Sequence, residues 1–154
     1  MELYHASKEI VQYPEVKKAK YTKDFSWGFY CTNNIKQAVR WANRGMGEPI
    51  INYYDYTPDK SLRILRFPEI SDEWLNFIAE CRSGKTHQYD IVEGPMANDT
   101  IWNYVNDYLT GRINRKQFWA LAEFKYPTHQ ISFHTLSALN CLRFVKSEVI
   151  YNDR

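Results

Sequence analysis

Three short segments carry the side chains best suited to binding or chemistry, and they lie far apart along the chain. They are Leu3–Ser7 (LYHAS), Phe25–Thr32 (FSWGFYCT) and Gln130–Phe133 (QISF). A neutral imidazole such as that of His5 can both donate a hydrogen bond to a hydroxyl group and accept one from it. The ring of Tyr30 can stack on a planar ligand. Each residue also has a structural interpretation, His5 as a histidine at a strand end and Tyr30 as a core residue, so no segment carries the argument alone.

Composition and charge exclude several classes of function. The 20 Lys and Arg against 18 Asp and Glu give a net charge of +2, too weak to predict nucleic-acid binding from charge. No GxGxxG or GxxxxGK[ST] pattern occurs, which excludes those forms of dinucleotide and phosphate binding. Aromatic residues make up 16% of the chain, as expected either for a core built from rings or for a pocket that stacks a planar ligand.

The cysteines and the apolar runs indicate the compartment. Cys31, Cys81 and Cys141 are scattered, and without a CxxC or Cys/His cluster we predict no metal site. An odd, scattered set of cysteines is typical of a reducing compartment. The first residues lack the pattern of a signal peptide, and no apolar run approaches 18 residues. We therefore expect a cytoplasmic protein with no membrane partner.

The elements that must position these segments are interspersed irregularly, which predicts an α+β fold in one domain spanning residues 1–154. Hydrophobic patterns predict strands over residues 3–5, 27–32, 50–56, 62–67, 89–92, 130–133 and 144–151. Helices are predicted to open at Asn33 or Asn34, at Ser71, at Asn98 or Asp99, near Arg115 and at Thr135. The strands over 50–56 and 62–67 are expected to form a hairpin about Pro58-Asp59. Residues 8–26 read as a long loop.

In order and spacing, the three segments resemble the ADP-ribosyltransferase superfamily. Leu3–Ser7 is similar to the Leu-x-His-Gly-[Ser/Thr] opening of the diphtheria-toxin and poly-ADP-ribose polymerase branch. The run Gly28–Thr32 (GFYCT) resembles its Gly-[aromatic/aliphatic]-Tyr-x-[Ala/Thr] strand, and Gln130 opens the strand that carries the catalytic Glu in that branch. End to end, the chain also resembles a largely uncharacterised bacterial family placed in this superfamily. The resemblance implies split antiparallel β-sheets flanked by helices.

The resemblance also implies that NAD is the co-substrate, with no metal. It assigns the cofactor contacts to His5, Ala6, Ser7, Tyr21, Gly28 and Tyr30. His5 would hold the ribose on the adenosine side, and the main chain of Ala6, where the family has Gly, would pair with the nicotinamide carboxamide. Tyr30 would stack on the nicotinamide ring, while Phe29 alternates toward the core. Trp27 is a weaker candidate for lining the same site.

Gln130 is the main departure from the family pattern, although His5, Tyr30 and Gln130 are the catalytic residues that the resemblance implies. Cleavage of the bond between nicotinamide and ribose passes through a transition state with oxocarbenium character. A neutral amide can hold a ribose hydroxyl but supplies no negative charge near the developing cation. A carboxylate such as that of Glu93, Asp99 or Glu123 could supply the charge, transfer could be slow, or NAD could bind without turnover.

The implied function is an NAD-dependent ADP-ribosyltransferase that modifies a cytoplasmic macromolecule. The resemblance suggests the toxin of a toxin–antitoxin or defence system, held in check by a small neutralising antitoxin protein. The loop 125–129 lies where the superfamily reads its acceptor, a protein or a nucleic acid. An NAD glycohydrolase and a non-catalytic NAD- or nucleotide-binding module are the alternatives. An RNA 2′-phosphotransferase is disfavoured because few arginines cluster. His134 and Thr135 read as helix-start residues.

Overall fold

The computed structural model describes residues 1–18, 23–97, 99–122 and 128–151. The strands are β1 (Glu2–Ser7), β2 (Phe29–Cys31), β3 (Ile50–Tyr56), β4 (Ile64–Arg66), β5 (Ile91–Gly94), β6 (Gln130–Phe133) and β7 (Leu142–Val149). The helices are α1 (Ile35–Ala42), α2 (Asp72–Arg82), α3 (Asp99–Leu109), α4 (Arg115–Leu121) and α5 (Leu136–Leu139). The mixture of helices with separate sheets confirms the predicted α+β class.

The strands form two sheets that meet near the start of the chain. One sheet has the order β1-β3-β7 and the other the order β2-β6-β5-β4. The first is antiparallel throughout, whereas β4 runs parallel to β5 in the second. The expectation of wholly antiparallel sheets is therefore wrong for this edge of the second sheet. A single bridge between Tyr4 and Thr32 links β1 to β2 and so connects the two sheets.

The predicted hairpin between residues 50–56 and 62–67 does not form. Both edges of β3 are already occupied, by β1 on one side and β7 on the other. The chain after Pro58 instead crosses to the second sheet, where β4 pairs with β5. The turn at Pro58-Asp59 thus serves a crossover between sheets, since a strand with two partners has no hydrogen-bonding edge left for a third.

Local capping chemistry sets the helix ends as the sequence predicted. The side chains of Asn34, Ser71 and Thr135 each accept a hydrogen bond from the main-chain N–H three residues on, the geometry of an N-cap. Gly84, just past α2, has a φ of 100°, a left-handed conformation that favours glycine. In the described part of the chain, no helix is long and apolar enough to cross a membrane.

The second sheet is buried on both faces, and its alternation of side chains divides the core in two. Phe29, Ile131 and Phe133 point toward the first sheet and pack with Leu3 and Tyr54. On the opposite face lies a cluster under the helices, made of Phe25, Tyr30, Trp74, Leu75, Ile78, Val92, Ala97, Ile101, Val105 and Phe118. Because neighbouring residues of a strand point to opposite faces, Phe29 and Tyr30 belong to different halves of the core.

Candidate functional site

The two sheets separate immediately beyond the bridge between β1 and β2. Tyr4 N–H donates to the Thr32 carbonyl and Thr32 N–H donates to the Tyr4 carbonyl, each at 2.9 Å. At the next residue of β1, the main-chain hydrogen bonds to β2 stop and a side chain takes their place. His5 Nδ1 lies 2.6 Å from the carbonyl oxygen of Tyr30. We call the space bordered by His5, Ala6 and Tyr30 the β1–β2 gap. It brings together two of the three segments that the sequence singled out.

The main chain of Ala6 faces this gap. In a strand, the N–H and C=O of one residue point to the same side, and those of the next residue point to the other. Tyr4 directs both groups toward β2, so Ala6 does the same, while His5 directs its own toward Asn52 of β3. No residue in the described ranges hydrogen-bonds to the Ala6 main chain. A ligand amide entering the gap would therefore meet one free donor and one free acceptor.

The His5 imidazole is neutral and has one nitrogen committed. Its ring stacks on that of Phe29, with centroids 4.0 Å apart. Burial lowers the pKa of His5 to about 4, and the positive charges of Lys23 and Lys17 lower it further against the opposing hydrogen bond to Tyr30. Because the partner of Nδ1 is a carbonyl oxygen, Nδ1 carries the proton and Nε2 is an acceptor. Such a nitrogen can receive a hydrogen bond from a ribose hydroxyl.

Tyr30 is a buried residue whose hydroxyl is fully used. The hydroxyl accepts from Phe25 N–H at 3.0 Å and donates to the Ser26 carbonyl at 2.5 Å. Burial raises the pKa of Tyr30 well above its ordinary value. The ammonium group of Lys23 lies 5.2 Å from the ring centroid, a cation–π arrangement. Stacking of the cationic nicotinamide ring on Tyr30 stays a prediction.

Three other predicted contacts have different outcomes. A Cβ on Gly28 would lie 2.8 Å from His134 Nδ1 and 3.0 Å from the Phe133 carbonyl oxygen, so this glycine serves packing within the protein. Ser7 ends β1, and its hydroxyl accepts from Glu9 N–H at 3.2 Å. Tyr21 lies outside the described residues. The space beside Gly28 is thus filled by His134 and Phe133, and the NAD contact at Gly28 stays a prediction.

Gln130 contacts a carboxylate that the sequence did not reveal. Its amide nitrogen donates to Asp24 Oδ2 at 3.0 Å and lies 3.4 Å from the Pro95 carbonyl oxygen. The same Asp24 oxygen accepts from Ala97 N–H at 2.9 Å, and the other oxygen accepts from Arg82 at 2.6 and 2.9 Å. Asp24 is only 3% exposed. Gln130 shares its face of the sheet with Tyr30, because Tyr30 lies opposite Ser132 in the β2–β6 register.

Glu93, a carboxylate candidate from the sequence, points to the other face of this sheet. Directly paired residues of antiparallel strands project to the same side, and Glu93 pairs with Ile131, whereas Gln130 pairs with Gly94. Glu93 instead bonds His129 Nε2 at 2.7 Å, which lowers the pKa of the carboxyl group. For the remaining candidates, the side chain of Asp99 and all of Glu123 lie outside what the structure describes.

All four histidines of the chain hold one short segment, a feature that sequence reasoning missed. Three of them contact main-chain carbonyls: His5 that of Tyr30, His87 that of Phe25 and His134 that of Trp27, at 2.6, 2.9 and 2.7 Å. The fourth, His129, accepts from Asn33 N–H at 3.0 Å. Burial lowers the pKa of His134 to about 4 and also lowers that of His87. The segment 25–33 is therefore fixed by hydrogen bonds to four imidazole rings.

A separate cleft lies on the α1 side of the first sheet. It has a volume of about 300 Å³ and is lined by Lys8, Asn43, Gly45, Gly47, Pro49, Ile150 and Tyr151. The ammonium group of Lys8 donates to the carbonyl of Ala42 at the end of α1. Ala6 of β1 and the cleft residue Ile150 pack against α1, whereas His5 stacks on Phe29 toward the second sheet, so the cleft and the His5 ring lie on opposite faces of β1.

Comparison with known proteins gives a family and no function. A family profile described as "Protein of unknown function (DUF3990)" matches residues 1–144. No curated protein and no solved structure matches the chain.

Proposed function

The chain belongs to the DUF3990 family of proteins of unknown function, and we propose that it is an NAD-dependent ADP-ribosyltransferase. The observation that carries the proposal is the β1–β2 gap, where the free main chain of Ala6 faces the strand of Tyr30 and a neutral His5 lies between them. A nicotinamide carboxamide offers one acceptor and two donors, which complements the Ala6 N–H and C=O. His5 Nε2 is available at the same place for a ribose hydroxyl.

The third segment adds the group nearest to the reacting bond. In the proposed reaction, the bond between ribose C1′ and the nicotinamide nitrogen breaks, and its electron pair leaves with nicotinamide. The acceptor nucleophile forms a new bond to C1′ and releases its proton. Gln130 lies on β6, which pairs directly with β2, and its side chain is on the Tyr30 face. Its carbonyl oxygen can accept a hydrogen bond from the ribose, as the carboxylate of the resembling enzymes does.

The wider biological role follows from the resemblance and is part of the proposal. The acceptor is a macromolecule, and the activity suits the toxin of a toxin–antitoxin or defence system. A small neutralising protein would then bind the enzyme and keep it inactive until the enzyme is released. Free ADP-ribose without labelled macromolecule would indicate the NAD glycohydrolase alternative. NAD binding without nicotinamide release would indicate the non-catalytic alternative.

The direct test measures NAD binding by calorimetry, nicotinamide release by chromatography, and label transfer from labelled NAD to lysate. The variant His5→Phe keeps an aromatic ring over Phe29 and removes both ring nitrogens, so we expect NAD affinity and labelling to fall at least about 10-fold. The matched control is His87→Phe, which removes another histidine bonded to the 25–33 segment, at Phe25 and not at Tyr30. Equal losses in the two variants, or no NAD binding by the unaltered protein, would reject the proposal.

A further inference from the structure

The buried carboxylate of Asp24 contacts Gln130 directly, and it takes no part in the proposed NAD contacts. It is fixed from three directions: by the Arg82 guanidinium, by Ala97 N–H and by the Gln130 amide. Arg82 is itself held against the ring of Trp102, with its guanidinium carbon 3.9 Å from the ring centroid. A buried carboxylate with this many donors has a fixed position.

This fixed carboxylate determines which end of the Gln130 amide faces outward. A carboxylate only accepts hydrogen bonds, so the Gln130 group in contact with Asp24 must be the NH₂. The Pro95 carbonyl oxygen, also an acceptor, lies 3.4 Å from the same nitrogen. Gln130 Oε1 makes no hydrogen bond with the described residues, and this oxygen is not completely buried. Gln130 is only 5% exposed, and its carbonyl oxygen is the end of the amide that has no hydrogen-bond partner among the described residues.

We infer that Asp24 is a positioning residue that locks Gln130 with its carbonyl oxygen toward the ribose of NAD. The inference rests on the proposed function and adds the reason why an amide can stand where the resembling enzymes have Glu. The ribose hydroxyl requires an acceptor, and an unrestrained amide could equally present its NH₂. Asp24 removes that ambiguity, and its own charge is balanced by Arg82 at 2.6 Å.

The distinguishing experiment exchanges the amide and the carboxylate between the two positions. In Asp24→Asn, two amides meet, and Gln130 can turn its carbonyl inward to accept from the new NH₂. We expect kcat for nicotinamide release to fall about 100-fold with a smaller change in KM, because the ground-state contacts at His5 and Ala6 persist. In the double variant Asp24→Asn with Gln130→Glu, the new amide donates to one oxygen of the new carboxylate, and the other oxygen can accept from the ribose. We expect this exchange to restore kcat at least to the level of the unaltered protein.

The single variant Gln130→Glu supplies a readout that a merely structural role would not produce. It places two carboxyl groups at the contact that is 3.0 Å in the native protein, so one of them must take up a proton. Its activity should therefore rise as the pH is lowered from 8 to about 6, whereas the double variant should show no such rise. Asp90→Asn is the folding control, because Asp90 also accepts two hydrogen bonds, from Thr135 and Arg63, away from the gap.

The outcomes separate the inference from the proposed function. Restored turnover in the exchange variant, with the acid-shifted profile of Gln130→Glu, supports the positioning role. If the unaltered protein releases nicotinamide but the exchange variant is no faster than Asp24→Asn while as stable as Asp90→Asn, the positioning role is wrong and the proposed function stands. If one of these variants unfolds, Arg82→Lys is tested in its place. This variant keeps the charge beside Asp24 and is expected to lower kcat about 10-fold. Unchanged turnover of Arg82→Lys contradicts the inference. An unaltered protein that neither binds nor cleaves NAD overturns both.

Discussion

The β1–β2 gap and the α1-side cleft differ in what they offer a ligand. The cleft has a volume of about 300 Å³, but Lys8, the one cationic side chain among the described residues that line it, already donates to the end of α1. The gap instead presents the N–H and C=O of Ala6 and one nitrogen of His5, none of which has a hydrogen-bond partner among the described residues. The unpaired main-chain groups of Ala6 favour the gap as the ligand site, because buried polar groups normally have a hydrogen-bond partner.

The largest expected effect is the acid sensitivity of the gap side, which contrasts with the cleft because the described residues that line the cleft include no histidine. His5 and His134 have folded-state pKa values of about 4, below the ordinary 6.5. The unfolded chain therefore binds protons first, so stability is full above about pH 6.5 and falls as the pH drops toward 4. Each imidazole would cost up to about 3 kcal/mol by pH 4.

Denaturant unfolding measured at several pH values between 7.5 and 4.5 checks this. His5→Phe should flatten the profile between pH 6.5 and 5, where most carboxylates stay ionised. A free energy of unfolding that is constant from pH 7.5 to 5 would show that the imidazoles are not held neutral.

The next largest effect is expected for the variant Ala6→Pro, and it concerns the binding of NAD. Proline removes the N–H that faces the gap, so we expect the Kd for NAD to rise about 10- to 100-fold. Leu3→Pro is the control variant. The N–H of Leu3 points toward β3, as that of His5 does, so proline at this position removes a hydrogen bond between β1 and β3 and weakens the sheet. Calorimetry with NAD and thermal unfolding should therefore separate the two variants. Unchanged NAD affinity in a folded Ala6→Pro protein would exclude the carboxamide contact.

The variant Tyr30→Phe separates the contribution of the Tyr30 ring from that of its hydroxyl. The hydroxyl bonds Phe25 N–H and the Ser26 carbonyl, so its loss should cost about 2 kcal/mol of folding stability. The ring stays in place, and NAD affinity should change less than about threefold. Unfolding curves and calorimetry on the same protein measure both quantities. A large loss of affinity with unchanged stability would mean that the hydroxyl, and not the ring, meets the ligand.

The smallest effect is expected in the cleft. Lys8→Met keeps most of the apolar stem and removes the hydrogen bond to Ala42, a change of about 1 kcal/mol or less in stability. NAD binding should be unaffected. If Lys8→Met weakens NAD more than His5→Phe does, the ligand occupies the cleft, and the comparison between the two sites is reversed.

The sequence was a good guide where structure is decided locally. Asn34, Ser71 and Thr135 cap helices as predicted, since an N-cap needs only a side-chain oxygen and a nearby N–H. The run 50–56 forms β3 with the predicted bounds. Strand partners are set by distant residues, and for that reason the expected hairpin gave way to the β4–β5 pair.

The candidate site shows the same division. His5 and Tyr30 could be chosen because each belongs to a short motif. Asp24 could not, because its meaning depends on Arg82 and Gln130, which are 58 and 106 residues away. Glu93 was a reasonable candidate by position, yet the alternation of side chains places it on the opposite face from Gln130. Contacts of this kind depend on which distant segments the fold brings together, and a short local pattern does not show that.

A crystal structure with bound NAD tests the central claim most directly. We expect the nicotinamide carboxamide in the β1–β2 gap, with its nitrogen and oxygen at roughly 2.7–3.2 Å from the carbonyl and N–H of Ala6. A ribose hydroxyl should lie at a similar distance from His5 Nε2. NAD bound in the α1-side cleft, or bound elsewhere with the Ala6 main chain unpaired, would contradict the account.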